Sequence, residues 1–170
     1  MILETERLCL REMGQPDFEA LCVILQDEKA MYAYEGAFSS TEVQEWLDRQ
    51  LARYHKYGFG LWAVVLKETG EMIGQCGLTM QLWKEREVLE IGYLFQRRYW
   101  HKGYATEAAQ ACKHYAFDVL NAEEVCSIIR NTNTASQNVA IRNGMTVMDT
   151  WIKHYRGVDM PHDRYVIGRH

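Results

Sequence analysis

The chain has 170 residues, 48% of them hydrophobic, and a formal net charge of -4. That length and apolar content suit one domain with a substantial core, and the negative balance argues against nucleic-acid binding driven by counterion release. No apolar run reaches the ~20 residues that a membrane span needs, and the opening MILETERLCLRE carries charge from Glu4 onward, unlike a secretory leader.

RLCLREM alternates Leu8 and Leu10 with polar neighbours and predicts an opening strand. PDFEALCVIL places Phe18, Leu21, Cys22 and Leu25 at helical spacing behind Pro16, which a first helical turn tolerates. SSTEVQEWLDRQLARYHKYG predicts a longer helix. Thr41 and Gln44 fit a capping box, Val43, Trp46, Leu47, Leu51 and Tyr54 form its buried face, and Gly58 stops it. The period then changes to two. LWAVVLKETGEMIGQCGLTM reads as two strands joined by a hairpin at ETGE, and REVLEIGYLF as a third. Helical spacing returns with Ala105, Ala108, Ala109, Cys112, Tyr115, Ala116 and Val119 on one face. EEVCSIIR is a strand, TASQNVAIRNG a short helix ending at Gly144, and MTVMDTWIKHY and RYVIGR are closing strands. No linker, repeat or low-complexity tract divides residues 1–170, so a single domain is expected. A strand meander followed by one β-α-β crossover implies an α/β chain with a mixed sheet and helices on its faces.

The five cysteines, Cys9, Cys22, Cys76, Cys112 and Cys126, form no CxxC pair. Neither a disulfide framework nor a zinc knuckle is expected, and a reducing cytoplasm is the expected compartment. Cys112 falls on the inward face of an alanine-rich helix and reads as core. His154 and His162 fall on one predicted hairpin, where a loop role outweighs a metal site; no metal is expected.

The junction YWHKGYATEAA, between a strand and a helix, gathers positive charge in an acidic chain. A helix start presents unpaired N–H groups and a partial positive charge, and binds phosphate when the backbone can approach closely. Gly103 removes a side chain there, Ala105 keeps the next position small, and Arg97, Arg98, His101 and Lys102 surround the turn. Neither GxxxxGK(S/T) nor GxGxxG is present, which argues against ATP and NAD.

Strand–WHKGYATEAA–helix resembles the acyl-CoA pyrophosphate loop of the GNAT superfamily of N-acetyltransferases, with the pattern Q/R-x-x-G-x-G/A. Gly103 and Ala105 match its last two fixed positions, and Trp100 stands where Gln or Arg is usual. Tryptophan within YWxKGYATEA is similar to the ribosomal-protein N-terminal acetyltransferase (Rim-type) branch, which often has glycine at the position of His101. NTASQNVAIRNGM resembles the NxxSxxxAxxxGM segment of the family through Asn133, Ser136, Ala140, Gly144 and Met145. LETERLCLRE and LEIGYLF are also similar to this branch, so the likeness spans almost the whole chain.

The resemblance implies the GNAT acyl-CoA N-acyltransferase fold, a mostly antiparallel sheet of about seven strands flanked by about four helices. It implies transfer of an acetyl group from acetyl-CoA to a primary amine by direct attack in a ternary complex. The acceptor would be a protein N-terminal α-amine or a small-molecule amine, with no nucleic-acid or membrane partner; the branch often forms homodimers. Arg97, Arg98, His101, Lys102, Gly103, Tyr104, Ala105 and Thr106 would serve the pyrophosphate, and the backbone of Tyr93, Leu94 and Phe95 the pantetheine arm. Asn133 would hold a cofactor carbonyl or amide. Ser136 would bind the cofactor and protonate the departing sulfur, because Ala140 stands where many members have a tyrosine acid. Glu90 is the only charged residue in VLEIGYLF, sharing its face with Val88, Gly92 and Leu94. Apolar surroundings would raise its pKa and make it a usable base; its alternatives are a solvent-facing edge glutamate or a structural partner for an arginine. Tyr32, Tyr34 and Glu35 precede the second helix, where the family's acceptor loop lies, and with Trp83 are the candidate acceptor contacts. The alternative function is a non-catalytic acyl-CoA-binding sensor or interaction module on the same fold.

Overall fold

The period-two runs and the helical runs separate cleanly in the computed structural model, which describes residues 1–155 and 157–169. In chain order they are β1 (Leu3–Glu4), β2 (Leu8–Arg11), α1 (Phe18–Leu25), α2 (Ser40–Tyr57), β3 (Leu61–Leu66), β4 (Met72–Trp83), β5 (Arg86–Phe95), α3 (Tyr104–Asp118), β6 (Glu124–Arg130), α4 (Thr134–Arg142), β7 (Thr146–Tyr155) and β8 (Val158–Gly168). The strands form one sheet of eight, ordered β1-β2-β3-β4-β5-β6-β8-β7. The strand beyond the expected seven is the two-residue β1, too short to show a period. Every pair is antiparallel except β5 with β6, which the α3 crossover makes parallel.

Alternation along β3 splits the core in two. Trp62 and Val64 face one way and join Ala108, Ala109, Cys112 and Ala116 of α3. Leu61 and Ala63 face the other way and join Leu21, Ile24 and Leu25 of α1 and Val43 and Leu47 of α2. All five cysteines are free, and Cys112 meets Cys76 in the core at 3.7 Å. Among the described residues no helix is long and apolar enough to cross a membrane.

Three local expectations are corrected. The box that caps α2 is Ser39 with Glu42, not Thr41 with Gln44: the Glu42 amide donates to Ser39 Oγ at 3.2 Å, and Glu42 accepts from the Ser39 amide at 3.0 Å. Both pairs fit the motif, but the Phe38 amide bonds the Leu25 carbonyl at 2.8 Å and fixes where the chain turns into the helix. Leu51 faces outward, and Gln50 takes the buried place, its Oε1 accepting from the Leu61 amide at 3.1 Å. Val119 is exposed because α3 ends at Asp118.

The site follows from one mismatch in the sheet. β5 pairs with β4 along its whole length, from Arg86 opposite Trp83 to Phe95 opposite Gly74. β6 pairs with β5 only at Glu90 and Cys126, while its own ladder to β8 continues to Arg130. The Ser127 hydroxyl donates to the Ile91 carbonyl at 2.9 Å as a last tie. Beyond it the two parallel strands part and leave a wedge.

Candidate active site

The cleft that opens at this wedge holds about 890 Å³. One end of it is main chain. After β5 a 3-10 turn over Arg97–Tyr99 leads into α3 through two left-handed residues, His101 at φ 64° and Gly103 at φ 81°. Left-handed backbone costs roughly 1–2 kcal/mol for a residue with a Cβ, a penalty glycine does not meet. The first bond within the helix runs from the Glu107 amide to the Gly103 carbonyl at 3.0 Å. The amides of Tyr104, Ala105 and Thr106 are thus left without a backbone acceptor, and these residues line the cleft.

The loop is braced from behind. Arg7 donates through Nε to Glu107 at 2.7 Å and through Nη1 to the Lys102 carbonyl at 3.0 Å, and its guanidinium lies 4.3 Å over the Tyr104 ring. The Thr5 hydroxyl donates to the same Glu107 carboxylate. Trp100 donates its indole N–H to the Phe95 carbonyl at 3.0 Å, tying the loop to the end of β5. His101 lines the cleft, but Arg97, Arg98 and Lys102 do not. Asp27 holds Arg97 at 3.2 Å, Glu71 pairs with Arg98, and Lys102 is exposed. The positive character facing the cleft here comes from the helix start more than from the neighbouring cations.

Glu90 stands where the strands part, opposite Thr79 on β4 and Cys126 on β6. Its Oε2 accepts from the Ile128 amide at 2.7 Å, a donor that β5 no longer pairs. Burial pushes the Glu90 carboxyl up from 4.5 to about 7, against the opposing pull of that hydrogen bond, Lys153 and Arg53. Half-buried and without an ion pair among the described residues, it is neither a solvent-facing edge group nor an arginine's structural partner.

Across the wedge, Asn133 caps α4 by accepting from the Ser136 amide through Oδ1 at 3.3 Å. That capping leaves the Ser136 hydroxyl without a hydrogen bond among the described residues, and Ser136 lines the cleft. Tyr93 spans the wedge and donates its hydroxyl to the Ser136 carbonyl at 3.0 Å; burial pushes this phenol well up. Leu94 and Phe95 line the cleft beside it.

At the other end Tyr32 and Tyr34 line the cleft, Tyr34 lying edge-on to Trp46 at 5.6 Å. The Tyr32 hydroxyl bonds Thr132, and Arg130 lies 5.0 Å over its ring. Glu35 is turned to Arg130 at 2.9 Å and does not line the cleft. Trp83 is corrected outright: it is buried at the far end of β4, donating to Asp149 at 2.9 Å and edge-on to Trp151 at 5.6 Å. The returning β7–β8 hairpin covers it. His162 and His154 do line the cleft, yet His162 Nδ1 meets the Met160 carbonyl at 2.8 Å and His154 pairs with Asp159. Among the described residues no three His, Cys, Asp or Glu side chains gather as metal ligands. Arg49, Arg53 and Lys153 also line the cleft and were missed from sequence. Arg49 and Arg53 share a helix face by spacing alone, but that spacing also describes any solvated face.

A parallel pair splayed beside a carboxylate and ending at a bare helix start is the arrangement that the resemblance to the GNAT acyl-CoA loop implies. A family model described as acetyltransferase (GNAT) domain matches residues 7–146. The chain belongs to the GNAT family of acetyltransferases. It is 38% identical over 144 residues to the uncharacterized protein YkkB of Bacillus subtilis (strain 168), covering 84% of each chain. It is 33% identical over 136 residues to the uncharacterized N-acetyltransferase p20 of Bacillus licheniformis, covering 79% of this chain and 76% of p20. In fold it matches a GNAT-family acetyltransferase of Bacillus anthracis at a TM-score of 0.82 and 24% identity, over 97% of this chain and 96% of that one.

Proposed function

We propose that this chain transfers the acetyl group of acetyl-CoA to a primary amine by direct attack in a ternary complex, with Glu90 as base and Ser136 as acid. The observation that carries the reading is the wedge: Glu90 stands at its apex, and the unpaired amides of Tyr104, Ala105 and Thr106 lie at its other end. Acetyl-CoA supplies the activated acyl group as a thioester. Gly103, Ala105 and the α3 amides would take its pyrophosphate, the freed edge of Tyr93–Phe95 its pantetheine arm, and the Asn133 side-chain amide a polar group along it.

Amine attack forms an N–C bond and breaks the C–S bond, releases one proton from nitrogen and consumes one at sulfur. A lysine-type amine near pKa ~10.4 costs about 4–5 kcal/mol to neutralise at pH 7, an α-amine near ~8 only about 1. A carboxylate poised at about 7 matches the second task well. The Ser136 hydroxyl lines the cleft without a hydrogen bond among the described residues, which supports it as the donor to the sulfur. Thiol release from acetyl-CoA on adding an amine, with a mass gain of ~42 in the acceptor, tests the transfer. Ser136→Ala is expected to lower kcat about tenfold at unchanged CoA affinity; an unchanged kcat removes Ser136 from the chemistry.

A further inference from the structure

The lining of the cleft is predominantly cationic. Six Lys or Arg side chains line the cleft, and Glu90 is the one carboxylate among the described residues that do. Two of these cations, Arg53 and Lys153, act on the charge of Glu90, and a third, Arg49, acts on Arg53. No ion pair engages any of the three among the described residues. Arg130, by contrast, is matched by Glu35.

Arg53 is held in place. It is half-buried and donates through Nη1 to Gln50 Oε1 at 3.1 Å, and Gln50 is itself buried and fixed by the Leu61 amide. Arg49 stands one helical turn away, and like charges at that spacing repel. Burial and Arg49 together weaken the hold of Arg53 on its proton. Glu90 does not balance this cluster, since it brings one charge and gives it up each time it takes a proton. An unbalanced cationic cluster in a concave site, anchored by Arg53, binds anions and repels cations.

We propose that the amine acceptor carries an anionic group, a carboxylate or a phosphate, which docks at Arg49, Arg53 and Lys153 while its amine faces Glu90. This rests on the acetyl-transfer reading above. The anion takes no part in bond making; it keeps its charge and fixes the amine beside the base. A polyamine would place further positive charge against the same cluster.

The test measures kcat/KM by thiol release for 4-aminobutanoate, 3-aminopropyl phosphate, butylamine and diaminobutane, and for short peptides with Asp or with Lys after a free N-terminus. The anion-bearing amines are expected to exceed butylamine at least tenfold, with diaminobutane lowest, and added salt is expected to narrow the gap. Whether amino carboxylate, amino phosphate or acidic peptide leads identifies the source of the anion. Arg53→Glu is expected to invert the order of 4-aminobutanoate and diaminobutane. Lys153→Glu, on a strand side chain outside the core, gives a second test of the same inversion. Equal or better turnover of butylamine or diaminobutane by the unaltered chain overturns the acceptor class and leaves the transfer reading standing. Failure of every amine, with CoA still bound, overturns the transfer reading and this inference with it.

Discussion

The Gly103 end of the cleft is main chain from one contiguous stretch, whereas the Glu90 end is side chains drawn from α2, β5 and β7. Recognition by amides depends on φ and ψ and tolerates most changes of side chain that keep them. Recognition by side chains depends on which segments the fold brings together, and a single substitution can retune it. Under the proposed function, such a cleft would hold the donor by conformation and select the acceptor by composition. Breaking the first should therefore be drastic, and altering the second graded.

The largest effect is expected at Gly103. Glutamate there must adopt φ 81° and sets a carboxylate among the helix-start amides, though the nearest side-chain atom to a new Cβ, Arg7 Nη2, stands 3.4 Å away. Strain and repulsion together are expected to weaken CoA binding by more than about 100-fold, some 2.7 kcal/mol. The fold should survive, because the loop has room. Calorimetric titration with CoA beside a circular dichroism spectrum checks both; retained affinity would remove the loop from donor binding.

Glu90→Gln comes next, with turnover expected to fall about 10²-fold or more. In the unaltered chain kcat/KM should drop as pH falls through about 7, where Glu90 gains its proton. The glutamine variant should lose that limb and keep only the titration of the amine. A second sign follows from linkage. Because burial raises this carboxyl in the folded chain, its contribution to stability diminishes as pH rises from the ordinary carboxylate range to about 7. Glu90→Gln is thus expected to melt higher than the unaltered chain at pH 8, and a lower Tm there would contradict the burial assigned to Glu90.

Legibility in the sequence divides along the same line. β5 over Arg86–Phe95, the Gly58 and Gly144 stops and the glycine turn before α3 are all local, written in residues a few positions apart. Glu90 was legible as a lone charge in an apolar strand. Arg49 and Arg53 were not, because spacing on a helix gives a face without saying what it faces. Trp83 was misplaced for the converse reason: an aromatic beside a turn reads as accessible until Trp151 and Asp149, remote in sequence, close over it. The loss of two nearby cations from the Gly103 end has the same origin, since Asp27 and Glu71 engage Arg97 and Arg98 only in the fold.

A smaller effect is expected behind the loop. Glu107→Gln keeps an acceptor for Thr5 and Arg7 but removes the charge that fixes Arg7, a partly exposed contact worth about 1 kcal/mol. A Tm lower by roughly 2–4 °C is expected for a chain of this size. CoA affinity should fall severalfold, since Arg7 also braces the Lys102 carbonyl and the Tyr104 ring. A stability loss with full CoA affinity would separate the brace from the loop.

The smallest effect concerns His101, whose ring lies edge-on to Trp100 with centroids 6.5 Å apart. At φ 64° it occupies the backbone conformation that glycine adopts most readily. His101→Gly relieves roughly 1–2 kcal/mol of strain in the folded chain. It also gives the unfolded chain freedom worth about 0.4–1 kcal/mol. The balance is a gain of roughly 0–1.6 kcal/mol, hence a Tm higher by no more than about 3–6 °C. CoA affinity should stay within about threefold, because glycine keeps the amide that histidine contributes. If affinity falls tenfold at unchanged Tm, the imidazole itself contacts the bound ligand. The Gly103 end would then include one side chain that acts by composition rather than conformation.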